Sequence, residues 1–384
     1  MARRPLPLSL YVHLPWCVRK CPYCDFNSHK AGDDPPWDRY VAAVVADIDR
    51  EASNARGHEV ESIFIGGGTP SLFSADRIHA ILEACRQRLS LAADCEITME
   101  ANPGTVEHGS LRDYRQAGVT RLSIGAQSFD PDMLTALGRI HGPGEIMRTW
   151  AEADSGGLRS INVDLMFALP GQDFAMAMAD VDSLIRMSPP HLSWYQLTLE
   201  PNTVFYKRPP EGIPDEDLAW DIQLGGNRRL AAAGYEQYEI SAFAKPGHRC
   251  RHNLNYWQFG DYLAVGAGAH GKLTADDGTV RRYRKSANPL AYIEQAESGQ
   301  IESADVDVED KDLGFEFMLN ALRLTDGVPV SLFSERTGLA QDALAGTIAT
   351  AVGDGLLVDP GSGRLRPTAD GFRLLNELQA RFLP

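Results

Sequence analysis

Six apolar, strand-like runs separated by helical stretches fill residues 9–201, and this alternation constrains the fold more than any other feature. The runs are SLYVHLP (9–15), SIFIGGG (62–68), EITMEANP (96–103), RLSIGAQ (121–127), INVDLMFALP (161–170) and LSWYQLTLEP (192–201). Between the first two, Trp37, Tyr40, Val41, Val44, Val45 and Ile48 recur with the period of one helix face. The next helix opens at Ser74, a good N-cap residue, and places Ile78, Ile81, Leu82, Cys85 and Leu89 on one face. Cys85 and Cys95 therefore read as core packing. Alternating strands and helices imply a parallel sheet with right-handed crossovers. Six units in a row favour a full or partial β/α barrel, although a doubly wound sheet has the same spacing. Each run ends in residues ill-suited to packing: a cysteine loop, GGGTP (66–70), Glu100, Gln127, Asp164 and Thr198. The strand ends of a barrel converge on one rim, so these residues are expected to share a pocket.

The cysteine loop, YVHLPWCVRKCPYCDF (11–26), crowds Cys17, Cys21 and Cys24 together. Six cysteines in 384 residues are too few for a disulfide scaffold, and the clustering of three points to metal. Zinc would need a fourth ligand, with His13 and His29 nearby, but no second knuckle exists. A 4Fe–4S cluster on three thiolates would leave one iron open. The net charge of −15 argues against a nucleic-acid surface. No apolar run approaches the ~18 residues of a membrane span. No signal-peptide cleavage pattern is present, so the expected compartment is the reducing cytoplasm.

C-x3-C-x2-C with Tyr23 before the last cysteine resembles the signature of radical S-adenosylmethionine proteins. In that superfamily the open iron binds S-adenosylmethionine, and a reduced cluster can cleave it to a 5′-deoxyadenosyl radical. YVHLPWC, FIGGGTPS, EANPGT, RLSIGAQSF, LGRIH and INVDLMFALPGQ resemble, in order, the group of oxygen-independent coproporphyrinogen III oxidases and HemW heme chaperones. The resemblance implies a partial TIM-type (β/α)6 radical SAM barrel with the cluster on Cys17, Cys21 and Cys24. It places Tyr11 and Tyr23 near S-adenosylmethionine, with backbone groups of Gly67, Gly68 and Thr69 at its methionine end. Glu100, Gln127, Arg139 and Asp164 would complete that site. The GGGTP stretch lacks the GK[ST] of a phosphate loop.

Two departures set the chain apart from the oxidases. They carry a further cysteine where this sequence has Phe26, and an N-terminal arm where only about eight residues precede the first run here. The stretch CRHNLNYWQFGDYLAVGAGAHG (250–271) carries H-N-x-x-Y-W, which resembles a HemW hallmark, at His252, Asn253, Tyr256 and Trp257. His252 is the expected axial heme ligand, with His248 and Cys250 as alternatives. The absence of C-x-x-C-H argues against covalent c-type attachment. RRYRK (281–285), with Arg249 and Arg251, is the expected supply of cations for heme propionates. The resemblance implies heme binding and delivery to heme-requiring proteins such as respiratory cytochromes. It also implies a low-potential electron donor, a homodimer, and at most transient membrane contact through a client. The alternative is oxidative decarboxylation of coproporphyrinogen III.

SGQIESADVDVEDKD (298–312) reads as an acidic linker, dividing a barrel domain (1–300) from a small C-terminal domain (301–384). Helices followed by a hairpin over 355–368 suggest a winged-helix-like module. DNA binding is the rival it raises, but Thr337 through Gly363 contains no Lys or Arg to neutralise phosphates.

Overall fold

The structure, a computed structural model, describes residues 6–55, 57–104, 111–301 and 303–384. Each apolar run forms a strand: β1 (Leu8–Leu14), β2 (Glu59–Gly67), β3 (Ser90–Ala101), β4 (Arg121–Gln127), β5 (Ser160–Phe167) and β6 (His191–Gln196). The six lie in chain order and pair in parallel. Helices α1 (Trp37–Ala55) and α2 (Ala75–Arg88) form where the periodicity places them. Ser74 is the N-cap of α2 with extended backbone, but its hydroxyl makes no cap bond.

Alternation along the strands sorts the two faces. Leu10, Val12, Ile63, Ile65, Leu122 and Ile124 point outward into one core with Val44, Ile48, Ile78 and Leu82 of the helices. Burying each such side chain is worth about 1.5–3 kcal/mol. The barrel is partial, because neither edge closes on the other. The antiparallel strand β7 (Ala242–Ala244) pairs with β6. β1 instead takes β8 (Asp261–Val265) as a parallel neighbour. Three antiparallel strands then continue outward: β9 (His270–Thr274), β10 (Val280–Lys285) and β11 (Ser303–Asp307). Part of the expected linker is therefore the edge strand of the sheet. A short helix, Arg251–Trp257, carries the H-N-x-x-Y-W residues and packs on β2.

A second core gathers Phe317, Met318, Phe333, Leu356, Leu365 and Leu378, with Phe259 and Val280 from the sheet side. It is built by Asp310–Ala321, Val330–Thr337 and later helices, with short strands at Val328–Pro329 and Arg364–Leu365. A bridge between Leu357 and Pro367 closes the expected hairpin. Among the described residues, no helix is long and apolar enough to cross a membrane.

Most of the cations expected for propionates are paired with carboxylates of the chain itself, Lys285 in the interior and the arginines nearer the surface. Lys285 Nζ lies 2.8 Å from Asp47 Oδ1 and 2.6 Å from Glu51 Oε1, with all three side chains at most 3% exposed. The Tyr283 and Tyr292 hydroxyls donate to the same carboxylates. Arg281 pairs with Asp307, Arg282 with Glu316, Arg249 with Asp326 and Arg251 with Asp94. Lys285→Met would strand two buried carboxylates, so it should destabilise the fold by about 3–5 kcal/mol in urea titration. A loss below about 1 kcal/mol would show that the carboxylates simply take up protons.

Candidate metal and cofactor site

The strand ends do converge. Cys17, Cys21, Cys24, Tyr23, Gly67, Gly68, Thr69, Glu100, Gln127, Arg139, Asp164 and Thr198 all line one cavity of about 470 Å³. Each of the three thiols has a polar neighbour, and Ser28 serves both Cys17 and Cys24. Thr69 Oγ1 donates to Cys17 Sγ at 3.4 Å, Arg139 Nη1 donates to Cys21 Sγ at 3.6 Å, and Ser28 Oγ lies 3.7 Å from Cys24 Sγ. Burial pushes the Cys17 and Cys24 thiols up from their ordinary range. Deprotonating them inside this pocket therefore calls for a bound cation.

Among the described residues, no three His, Cys, Asp or Glu side chains stand close enough together to hold a single metal ion. The two zinc candidates are otherwise engaged. His13 bonds Tyr11 OH at 3.0 Å and the Asn27 carbonyl at 2.9 Å, and His29 bonds Asn27 Oδ1 at 3.2 Å. A polynuclear cluster, whose thiolates attach to different irons, fits this spread of sulfurs.

The glycine turn is fixed by crowding. Gly67 has φ +115°, and a Cβ there would come within 2.5 Å of the His13 ring; at Gly68 it would meet the Trp16 carbonyl oxygen at 2.6 Å. The N–H groups of Gly67, Gly68 and Thr69 bond Glu100 Oε2, Leu14 O and Trp16 O. What Gly67 and Gly68 can offer a ligand is thus carbonyl oxygen rather than N–H.

Gln127 closes β4 in the left-handed region, φ 69°, at a register shift against β5. Its Oε1 accepts from Tyr195 OH at 2.7 Å. Arg139 Nη2 donates to the Gly125 carbonyl at 2.9 Å, while the buried Nε has no partner. Asp164 accepts from Ser123 Oγ and Asn162 Nδ2 at 3.1 and 2.8 Å. Burial, with the Asp164 charge adding to it, pushes the Glu100 carboxyl up to about 7.

Two expected residues lie outside the cavity lining. Tyr11 stacks on Phe64 with its hydroxyl on His13, one layer deeper. His252 is not offered as an open heme ligand: it is 1% exposed, with Nδ1 3.0 Å from Ser62 Oγ and Nε2 2.9 Å from Tyr256 OH. Burial pushes its imidazole down to about 3. Its neighbours Asn253 and Trp257 are the H-N-x-x-Y-W members that reach the cavity. Ser123, Tyr195 and Glu239 also line it and were missed. For Ser123 and Tyr195 the inward phase of β4 and β6 was the available signal. Phe26, 56% exposed, stands at the cavity rim. Thr105 of the EANPGT stretch lies outside the described residues.

Comparison with known proteins places this geometry. Residues 11–184 match the Radical SAM superfamily model, and residues 308–374 match the HemN C-terminal domain. The heme chaperone HemW of Escherichia coli is 50% identical over 377 residues, covering 98% of each chain. This chain belongs to the HemW family. The HemW of Haemophilus influenzae is 46% identical over 381 residues, again covering 98% of each chain. Among solved structures, the radical SAM enzyme coproporphyrinogen III oxidase (HemN) of Escherichia coli superposes with a TM-score of 0.82. At 23% identity, over 99% of this chain and 91% of that one, this likeness establishes the fold. Family and fold together support a 4Fe–4S cluster with S-adenosylmethionine in this HemW relative.

The raised Glu100 carboxyl gives a stability signature. Between its ordinary 4.5 and about 7 the folded state keeps a proton that the unfolded state releases, so stability falls as pH rises through that window. Glu100→Gln should remove this slope. Relative to the variant, the cofactor-free wild type should lose up to about 3 kcal/mol between pH 4.5 and 8 in urea titrations. Parallel pH profiles would show that Glu100 titrates normally.

Proposed function

We propose that this protein is a heme chaperone, binding heme and passing it to heme-requiring proteins such as respiratory cytochromes. The observation that carries the reading is the 50% identity to the HemW of Escherichia coli along 98% of both chains. Phe26 at the cavity rim supports it, because it fills the position of a further cysteine in the resembling oxidases.

In this reading Cys17, Cys21 and Cys24 would hold the 4Fe–4S cluster, and S-adenosylmethionine would complete its ligand set. When bound, the pair would supply a cluster that, once reduced by an external low-potential donor, passes one electron to a sulfonium it can cleave. The chain's own residues bind and orient. The unpartnered Nε of Arg139 suits a carboxylate, while the Gly67 and Gly68 carbonyls and Glu100 accept from an ammonium group. Gln127 and Asp164, which share the cavity lining with Tyr23, would receive the ribose hydroxyls. Asn253 and Trp257 bring the H-N-x-x-Y-W motif to the same chamber. A low-potential electron donor, a homodimer and a cytoplasmic setting complete the proposal.

The test uses anaerobic, cluster-reconstituted protein. Heme should bind stoichiometrically, and coproporphyrinogen III with S-adenosylmethionine and dithionite should give no catalytic protoporphyrinogen. Turnover would replace the chaperone reading with the oxidase. His252→Ala should keep heme affinity within about twofold while losing about 1–3 kcal/mol of stability, since it breaks the Ser62–His252–Tyr256 chain. Heme binding abolished in a folded His252→Ala protein would instead make the imidazole a ligand.

A further inference from the structure

Beside the cofactor cavity lies a second one, of about 560 Å³, outside the open edge of the barrel. Both volumes fall within the ordinary range of ligand pockets, roughly 300–1,000 Å³. Tyr195, Gln196, Thr198 and Ser241 line both chambers, so the two are neighbours across one thin wall. The outer chamber is closed by the helix Glu216–Ala232 on one side and by the C-terminal segment 369–377 on the other.

Unsatisfied buried polar atoms concentrate here. Trp194 Nε1, Asn227 Oδ1 and Arg323 Nε belong to residues of the outer chamber; Glu239 Oε2 and Trp257 Nε1 belong to residues of the inner one. Buried donors and acceptors in native proteins are nearly all paired, so a cluster of exceptions marks a place where a partner is missing. Arg323 is central to it. Its guanidinium lies 4.2 Å from the Trp257 ring centroid and forms a long ion pair, 3.6 Å, from Nη2 to the buried Glu239 Oε2, while Nε has no partner. Arg373 adds a half-exposed second cation, 3.4 Å from the exposed Asp370 carboxylate. Trp220, 37% exposed, and Phe372 supply aromatic surface. Of the residues lining the chamber, none is His, Cys or Met.

We infer that this outer chamber is the heme site: the macrocycle lies against Trp220 and Phe372, and its two carboxylates meet Arg323 and Arg373. The inference rests on the heme-chaperone reading and gives it a location. Flat aromatic faces and two cations match an amphipathic dicarboxylate. Of the usual heme-iron ligands only Tyr195 lines the chamber, and its hydroxyl is engaged by Gln127 Oε1 at 2.7 Å, so the porphyrin's shape and carboxylates, rather than its metal, hold it. Such a grip suits a molecule that must be surrendered. Trp257, beneath Arg323, is then the H-N-x-x-Y-W residue that contributes, by fixing the guanidinium.

Fluorescence titrations of the reconstituted full chain test this with three probes: hemin, metal-free protoporphyrin IX and hemin dimethyl ester. Protoporphyrin should bind within about threefold of hemin, and the ester about tenfold or more weakly. Arg323→Gln should cost hemin about tenfold, and Trp220→Ala, on the outer surface of a long helix, about threefold or more. The ester arm and Trp220→Ala keep the test decisive should Arg323→Gln fail to fold. Hemin bound equally well by both folded variants, or protoporphyrin more than tenfold weaker than hemin, would overturn the location while leaving the chaperone reading in place. No hemin bound by the wild type would overturn both.

Discussion

A parallel sheet that closes only part of the way round has an inner face with no hydrophobic partner, and this chain meets that constraint with hydrogen bonds. Ser9 Oγ lies 2.8 Å from Ser62 Oγ, which continues to His252. Asn162 gathers Ser123, Asp164 and His191, and His191 passes on to Tyr238 at 2.8 Å. Arg121, 2% exposed, donates to Ser160 Oγ at 2.7 Å. A satisfied buried network is stiff, and a half-satisfied one is costly. The helix Arg251–Trp257 is part of the solution, since it delivers His252 and takes Glu96 on the Arg251 amide at 2.9 Å.

That rigid floor lets the rim be irregular. At the strand ends the backbone departs from regular geometry, in the left-handed Gln127 and the positive φ of Gly67. Both residues line the cavity that the thiols share. Arg139 ties the layers together, with one nitrogen on Cys21, one on the Gly125 carbonyl of β4 and one without a partner. The cavity is thus acidic and thiol-rich on its protein side, with a single buried guanidinium to receive an anion.

The six strands and the rim were legible because period-two apolar runs and polar strand ends are local signals. The strands β8 to β11 were not, since GDYLAVGAGAHG reads as a glycine-rich loop until β1 offers it an edge. The fate of the cations was hidden for a different reason: Lys285 and Asp47 are 238 residues apart in sequence, and no pattern in either stretch announces the other. The H-N-x-x-Y-W residues divide between the two sides of one helix. His252 turns to Ser62 of β2, whereas Asn253 and Trp257 turn to the cavity, and spacing alone does not distinguish the two faces. Tyr11 differs likewise, by one layer of depth.

The far edge of the sheet has a consequence for the molecule's behaviour in a crowded solution. β11 presents Asp305 and Asp307 beside an exposed Val306, with Arg281 held between the two carboxylates. An uncapped strand edge is a template for pairing with other chains, and charge along it opposes that pairing. The short acidic strand therefore opposes lateral growth of the twelve-stranded sheet at this edge.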